Sequence, residues 1–221
     1  MRGRANHKED YALPSTYQRP VTGFPFPQDG TGADISDNDL LEAIAGGDRR
    51  AFTILVRRYL SKMVTLAQRV VFDHEQAREI AQEAFLRVWL HAGKWDPDGS
   101  AMFGTWLRRV VVNFAISQRR KRRDQVDIDT IADLTDQQAN GFDHVAVAHQ
   151  KRAVQNALEN LPDRQRAALA LFYYDDVSQN EAAKVMRLTP KAFDSLLVRA
   201  RRNVKKYLSA KGFLSKGDLS Q

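Results

Sequence analysis

The chain contains no cysteine, which excludes disulfides and thiolate metal sites. No apolar run approaches the ~20 residues that a helix needs to cross a bilayer, and the amino end shows no signal-peptide hydrophobic region. We therefore expect a cytoplasmic protein without membrane insertion. The histidines His7, His74, His91, His144 and His149 show no helical metal-ligand spacing, and there is neither a glycine-rich phosphate loop nor a nucleophile motif. A carboxylate cluster of the kind that holds metal ions for nucleic-acid chemistry is also missing. The expectation is a protein that is not an enzyme, with no cofactor, no metal and no small-molecule substrate. One stretch lacks cations: residues 124–150 hold no lysine or arginine but carry Asp124, Asp127, Asp129, Asp133, Asp136 and Asp143.

What is present is a basic chain of 221 residues, with 34 lysines and arginines against 27 acidic residues, a formal charge of +7 and a pI near 9.7. Such a balance suits a polyanionic partner. Hydrophobic residues at 43% suffice for packed cores, and the length allows two small domains. Residues 1–33 hold four of the seven prolines and no helical periodicity, so they read as a flexible arm, with Phe24 and Phe26 set between prolines.

From residue 34 the pattern is helical. Ser36 and Asp39 have cap spacing, Leu40, Leu41 and Ile44 begin an amphipathic helix, and Gly46-Gly47 should end it. Phe52, Leu55, Val56, Tyr59, Leu60, Val64 and Ala67 form the next stripe, reaching about Val71, with a break at Asp73-His74. Ala77, Ile80, Ala81, Ala84, Phe85 and Val88 form a third seam, whose outer face carries Arg78, Glu79, Gln82, Glu83 and Arg87. Turn residues follow at Trp95–Ser100. A helix from Met102 to Gln118 then shows Phe103, Trp106, Leu107, Val110, Val111 and Phe114 on one face, and runs out into Arg119-Arg120-Lys121-Arg122-Arg123. Five adjacent cations repel one another; at a helix carboxyl end the dipole partly offsets this, and facing phosphates they would release condensed counterions, the alternative being a solvated basic tip.

The cation-free stretch with Gly141 reads as a flexible acidic linker over residues 124–147, because an unstructured connection of about 25 residues is unusual inside a compact domain. A helix from Ala148 carries Ala153, Val154, Ala157 and Leu158. Pro162 opens another, with Ala168, Leu169, Leu171 and Phe172 as its core. Ser178 and Glu181 have capping-box spacing, and Thr189-Pro190 can cap and open a further helix. That pair reads as a helix-turn-helix, with Phe193, Leu197, Ala200 and Val204 on one stripe and Lys191, Ser195, Arg199 and Arg202 largely off it, the usual division between core and major-groove surface; an ordinary helical hairpin with a solvated basic face is the alternative. The expected fold class is all-α: two small helical domains, 34–123 and 148–212, joined by the linker, with a tail at 213–221.

Three segments in this order, AREIAQEAFLRVW, FGTWLRRVVVNFAISQRRKRR and LPDRQRAALALFYYDDVSQNEAAKVMRLTPKAFDSLLVRARR, resemble bacterial RNA polymerase sigma factors of the sigma-70 family, in its extracytoplasmic-function group. The resemblance covers about Asp34 to Leu208. It implies that the first domain is like sigma domain 2, which binds core RNA polymerase and the promoter −10 element, aiding its melting. The second is then like sigma domain 4, which reads the −35 element and touches the β flap. By position, Glu79, Gln82 and Glu83 fall where the family meets the β′ coiled coil. Asn113 falls where it reads a −10 base, and Arg108, Arg109, Arg119, Arg120, Arg122 and Arg123 become candidate phosphate contacts.

Primary sigma factors carry tryptophans where Arg109 and Val110 stand, so the resemblance implies an opening step that depends more on promoter match. Many members have lysine-serine-arginine where this chain has Asp194-Ser195-Leu196. Asp194 repels phosphate and is suited instead to a cytosine amino group, leaving Lys191, Ser195, Arg199 and Arg202 as the −35 contacts. The family also implies an anti-sigma partner, for which Phe172, Tyr173 and Leu196 are candidates, Phe172 being better suited to the core. The alternative is a stand-alone helix-turn-helix transcriptional regulator; that would need a dimerisation or ligand domain, and the residues before the linker show no heptads.

Overall fold

The structure, a computed structural model, describes residues 35–99, 102–126, 142–173 and 177–213. The arm, the middle of the expected linker at 127–141 and the final eight residues lie outside them, as do Phe24 and Phe26. Among the described residues there are eight α-helices and no strand: α1 Asp37–Ala45, α2 Arg49–Val71, α3 His74–His91, α4 Phe103–Val126, α5 Phe142–Glu159, α6 Asp163–Phe172, α7 Gln179–Val185 and α8 Pro190–Ala210. A 3-10 turn, Ala92–Lys94, follows α3. No described helix is long and apolar enough to cross a membrane.

The described residues group into two compact units, one comprising those up to Arg58 with Arg87–Pro97, the other Tyr59–Leu86 with those from Asp98 onward. In the first unit the Ser36 hydroxyl accepts from the Asp39 amide at 3.2 Å and donates to its carboxylate at 2.7 Å, starting α1. Gly46 ends the helix and Gly47 takes φ +88°, a conformation open to glycine at little cost. Asp48 then caps α2 by accepting from the amides of Arg50 and Ala51. Leu40, Leu41, Ile44 and Leu55 are buried, Phe52 meets Trp89 edge-on at 5.2 Å, and the Trp95 indole donates to Asn38 at 2.9 Å.

In the second unit the remainder of α2 buries Met63, Leu66, Ala67 and Val70. This differs from the expected stripe: Leu60 is exposed and Val64 only half-buried. The seam is rotated because both α2 flanks carry apolar residues, and periodicity alone does not choose between them. Phe72 breaks α2 in the left-handed region, at φ 57°, and Asp73 caps α3 through the Gln76 amide at 3.1 Å. The α3 seam of Ala77, Ile80, Ala81, Ala84 and Phe85 is buried as expected. In α4 the buried line is Phe103, Leu107, Val111, Val112 and Ala115, with Trp106, Val110 and Phe114 half-buried beside it.

The last four helices also pack in the second unit. α5 begins at Phe142, six residues before the expected start at Ala148. In α6, Ala168, Leu169 and Leu171 are buried, and Phe172 lies beneath the Arg201 guanidinium at 4.9 Å. Ser178 caps α7 through the Glu181 amide, but the Glu181 carboxylate accepts from the Thr105 hydroxyl of α4 at 3.0 Å instead of closing a reciprocal box. Thr189 caps α8 through the Ala192 amide, and Pro190 occupies its first turn. Phe193, Leu197 and Ala200 are buried along α8, while Val204 is half-buried.

Arg166 of α6 is 1% exposed. It donates to the Val70 carbonyl at the end of α2 at 3.0 Å and to the Glu159 carbonyl at the end of α5, and its guanidinium lies 5.1 Å from the Phe72 ring centre. Hydrogen bonds from a charged donor contribute about 1.5–3 kcal/mol each. Arg166→Ala, which strands two carbonyls, should destabilise the protein by about 2–4 kcal/mol in denaturant unfolding. Loss of the solvent-facing cap in Thr189→Ala should cost about 1 kcal/mol. Equal losses in the two variants would contradict this ordering.

Candidate nucleic-acid interface

The cations of α4 divide by environment. Asn113, Arg120, Arg122 and Arg123 are exposed, while Arg109 and Arg119 are half-buried. Arg109, Asn113 and Arg120 recur at intervals of four and seven, so they share one stripe of the helix. Arg108, expected among the phosphate contacts, is only 8% exposed, and its Nε is buried without a hydrogen-bond partner among the described residues. It sits beside a glycine for steric reasons: a Cβ on Gly104 would stand 3.1 Å from Arg108 Nη1 and 3.4 Å from the Tyr59 hydroxyl.

Several of these arginines already serve partners within the second unit. Arg109 donates from Nη2 to the Lys184 carbonyl at 2.8 Å and from Nε to the Val185 carbonyl at 3.3 Å, both at the end of α7. Burial first, and then the nearby positive Arg187, hold the Arg109 guanidinium below its usual range. Arg119 donates to Asp163 at 2.8 Å and more loosely to the Glu159 carbonyl at 3.4 Å. Arg123 reaches the same Asp163 oxygen at 3.2 Å, and Arg122 stands 3.7 Å from Asp73. One carboxylate at the start of α6 thus neutralises two cations of the basic run, which lowers the repulsion that the sequence implies.

The second cationic surface is α8. Lys191, Ser195, Arg199 and Arg202 are all exposed along one side, as expected. Ser195 Oγ donates to the Lys191 carbonyl at 3.0 Å, and Arg199 Nε donates to the Ser195 carbonyl at 3.1 Å, which leaves the outer guanidinium nitrogens projecting. Asp194 accepts from the Gln179 side chain. Sequence reasoning did not single out Gln179, because its partner lies 15 residues away, across the turn. Nor did it find Asp163 as the anchor of α4; an acidic residue just after Pro162 signalled only a helix start.

A third surface lies on α3, where Glu79 and Gln82 are exposed and Glu83 half-buried. Leu86, one turn further along the same face, is 48% exposed, an apolar residue that the polar reading had passed over. A mixed polar and apolar helix face of this kind suits a protein partner better than a phosphate backbone.

Comparison with known proteins bears on these surfaces together. The family model described as Sigma-70 region 2 matches residues 55–125, and the model for Sigma-70 region 4 matches residues 151–204. The RNA polymerase sigma-H factor of Pseudomonas aeruginosa is 31% identical over 78% of this chain and 93% of its own length. The ECF RNA polymerase sigma factor SigM of Mycobacterium tuberculosis is 30% identical over 90% of this chain and 93% of its own. Among solved structures, CnrH in complex with the cytosolic domain of CnrY aligns with a TM-score of 0.56 at 25% identity, covering 79% of this chain and 97% of CnrH. The chain belongs to the sigma-70 family of bacterial RNA polymerase sigma factors, in its extracytoplasmic-function group. All but the last residue of α4 falls within the region 2 match, and α8 falls within the region 4 match as far as Val204.

The shared Asp163 contact has a measurable consequence. Asp163→Asn removes the charge that holds Arg119 and Arg123, so binding to duplex DNA of arbitrary sequence should become more salt-sensitive. The slope of log affinity against log salt should steepen by about 1–2, as one or two further phosphates are neutralised. Fluorescence anisotropy across a salt series measures it, and an unchanged slope would show that these arginines do not reach phosphate.

Proposed function

We propose that this sigma factor joins core RNA polymerase through the α3 face of Glu79, Gln82, Glu83 and Leu86, which docks on the β′ coiled coil. The enzyme performs the chemistry; this chain supplies promoter choice. Glu79, Gln82 and Leu86 stand exposed on this face of α3, while Ala77, Ile80, Ala81, Ala84 and Phe85 on its other side are buried, which supports the assignment. In the assembled enzyme Asn113 reads a base of the −10 element while Arg109, Arg119, Arg120, Arg122 and Arg123 hold flanking phosphates and aid melting. Arg108, buried beside Gly104, supports the helix from within. Lys191, Ser195, Arg199 and Arg202 lie along the −35 element, and the carboxyl-terminal helices touch the β flap.

The observation that carries this reading is the pairing of two separate cationic helix faces, on α4 and α8, with a third face that is not cationic. A stand-alone regulator has no use for the third, and matches to both sigma regions favour the initiation factor. Control by an anti-sigma protein is supported by the similarity to CnrH, whose structure was solved with the cytosolic domain of CnrY. Tyr173, 60% exposed, and the half-buried Leu196 and Phe172 are candidate contacts for it. We place the protein in the cytoplasm, where core polymerase acts.

Reconstitution with purified core polymerase separates the roles. Charge reversal on the exposed α3 face, Glu79→Lys with Gln82→Lys, should weaken core binding at least tenfold, because like charges across an interface cost several kcal/mol. Asn113→Ala should leave core binding intact and lower run-off transcription roughly 5- to 150-fold, the worth of one base-reading amide. Unchanged core affinity in the α3 variant would overturn the assignment of that face.

A further inference from the structure

Asp194 is an anomaly on the face assigned to the −35 element. It is exposed, it stands one turn after Lys191 and one turn before Val198, and Arg199 and Arg202 follow along the helix. A carboxylate pointed at phosphates would oppose binding. It is the fifth residue of α8, beyond the first turn in which an acidic side chain gains most from the helix dipole. Nor does Lys191 neutralise it: among the described residues its partner is the Gln179 amide, which donates from Nε2 to Asp194 Oδ1. Gln179 is the first residue of α7, so the contact joins the two helices of the helix-turn-helix.

The chemistry of that contact is specific. A neutral amide donates to the carboxylate without cancelling its charge, and fixes which oxygen faces the protein. Oδ1 is occupied, and Oδ2 remains with its lone pairs. Holding the side chain in one orientation before DNA arrives removes part of the ordering cost that a free carboxylate would meet on binding. In the major groove, guanine presents two acceptors and thymine one, all of which repel a carboxylate. Adenine presents a donor beside the N7 acceptor, whereas cytosine presents the N4 donor alone. The exposed Val198 methyls, 62% accessible one turn further on, complete a surface that tolerates the apolar C5 edge of a pyrimidine.

We infer that Gln179 and Asp194 act as one base-reading unit, in which the amide positions the carboxylate to accept from the exocyclic amine of a cytosine in the −35 element. The inference rests on the proposed role of α8 at that element. Asp194 is then the specificity determinant and Gln179 its positioning residue, while Lys191, Arg199 and Arg202 supply affinity that is indifferent to sequence.

The test uses the complete chain assembled with core polymerase and a promoter library randomised across the −35 element, with sequencing of the transcripts. Wild type should enrich cytosine at one position, over guanine by roughly 5- to 150-fold. Asp194→Ala should abolish the preference at that position and leave the others, and Asp194→Asn should shift it to adenine, which pairs with an amide through N6 and N7. Gln179→Ala should weaken the same preference several-fold without moving it. Both side chains lie on the surface, so circular dichroism should be unchanged. If Asp194→Ala leaves every position as in wild type, or if the position that responds prefers guanine, thymine or adenine in wild type, the inference is overturned. If wild type with core polymerase yields no promoter-dependent transcript from any library member, the reading of the chain as a −35 reader falls, and this inference with it.

Discussion

Arginine side chains donating to carbonyls at helix carboxyl ends hold the second unit together. The last carbonyls of a helix lack partners within it and carry the negative end of the macrodipole, so a guanidinium satisfies both demands at once. Arg166 serves the ends of α2 and α5, Arg109 the end of α7, and Arg119 the end of α5 alongside Asp163. Arg69 does the same for Tyr173, the residue that closes α6, at 2.9 Å. Four helix ends are thereby tied to side chains from other helices, in a unit whose buried seams are rich in alanine and have limited apolar area to offer.

This arrangement gives the α4 cations two possible anionic environments. Within the chain they face carbonyl dipoles and one carboxylate; on a promoter they would face phosphates bearing full charges. Contacts to half-buried Arg109 and Arg119 are the stronger internal ones, since they are partly shielded from solvent and fixed by two acceptors each. Arg120 and Arg122 remain accessible throughout. Engaged and accessible cations thus alternate along one helix, with Arg119 and Arg123 held by Asp163 on either side of the exposed Arg120. Besides contributing its own core, α4 packs on α6 and α7 within the second unit.

Local rules made much of this legible from the residues. Ser36, Thr189 and Pro190 stand where cap chemistry requires, and the α3 and α8 seams follow a period of 3.6 because one side of each is distinctly polar. The α2 seam was misread by part of a turn, as Leu60 and Val64 are as apolar as Met63 and Leu66. Half of the expected capping box at Ser178 formed, while Glu181 turned to Thr105, a partner 76 residues away. Burial of Arg108 and Arg166 was not legible at all: an arginine in an amphipathic pattern reads as surface until the carbonyls or rings it meets are known. The exposure of Lys191, Ser195, Arg199 and Arg202 on α8 follows from periodicity, whereas Gln179 and Asp163 matter only through contacts that cross between helices.

On the proposed assignment of α4 and α8, the chain has weak grounds for selecting promoters by itself, because two helices would have to meet elements held at a fixed separation while part of α4 is occupied internally. The affinity of the full chain for a promoter duplex, measured with and without core polymerase at one physiological salt concentration, tests that directly. The account predicts weak, sequence-indifferent binding by the chain alone and binding at least a hundredfold tighter to promoter than to scrambled DNA in the assembled enzyme, in keeping with the roughly 10³–10⁷ range of specific over non-specific recognition. Tight promoter-specific binding by the chain without core polymerase would contradict it.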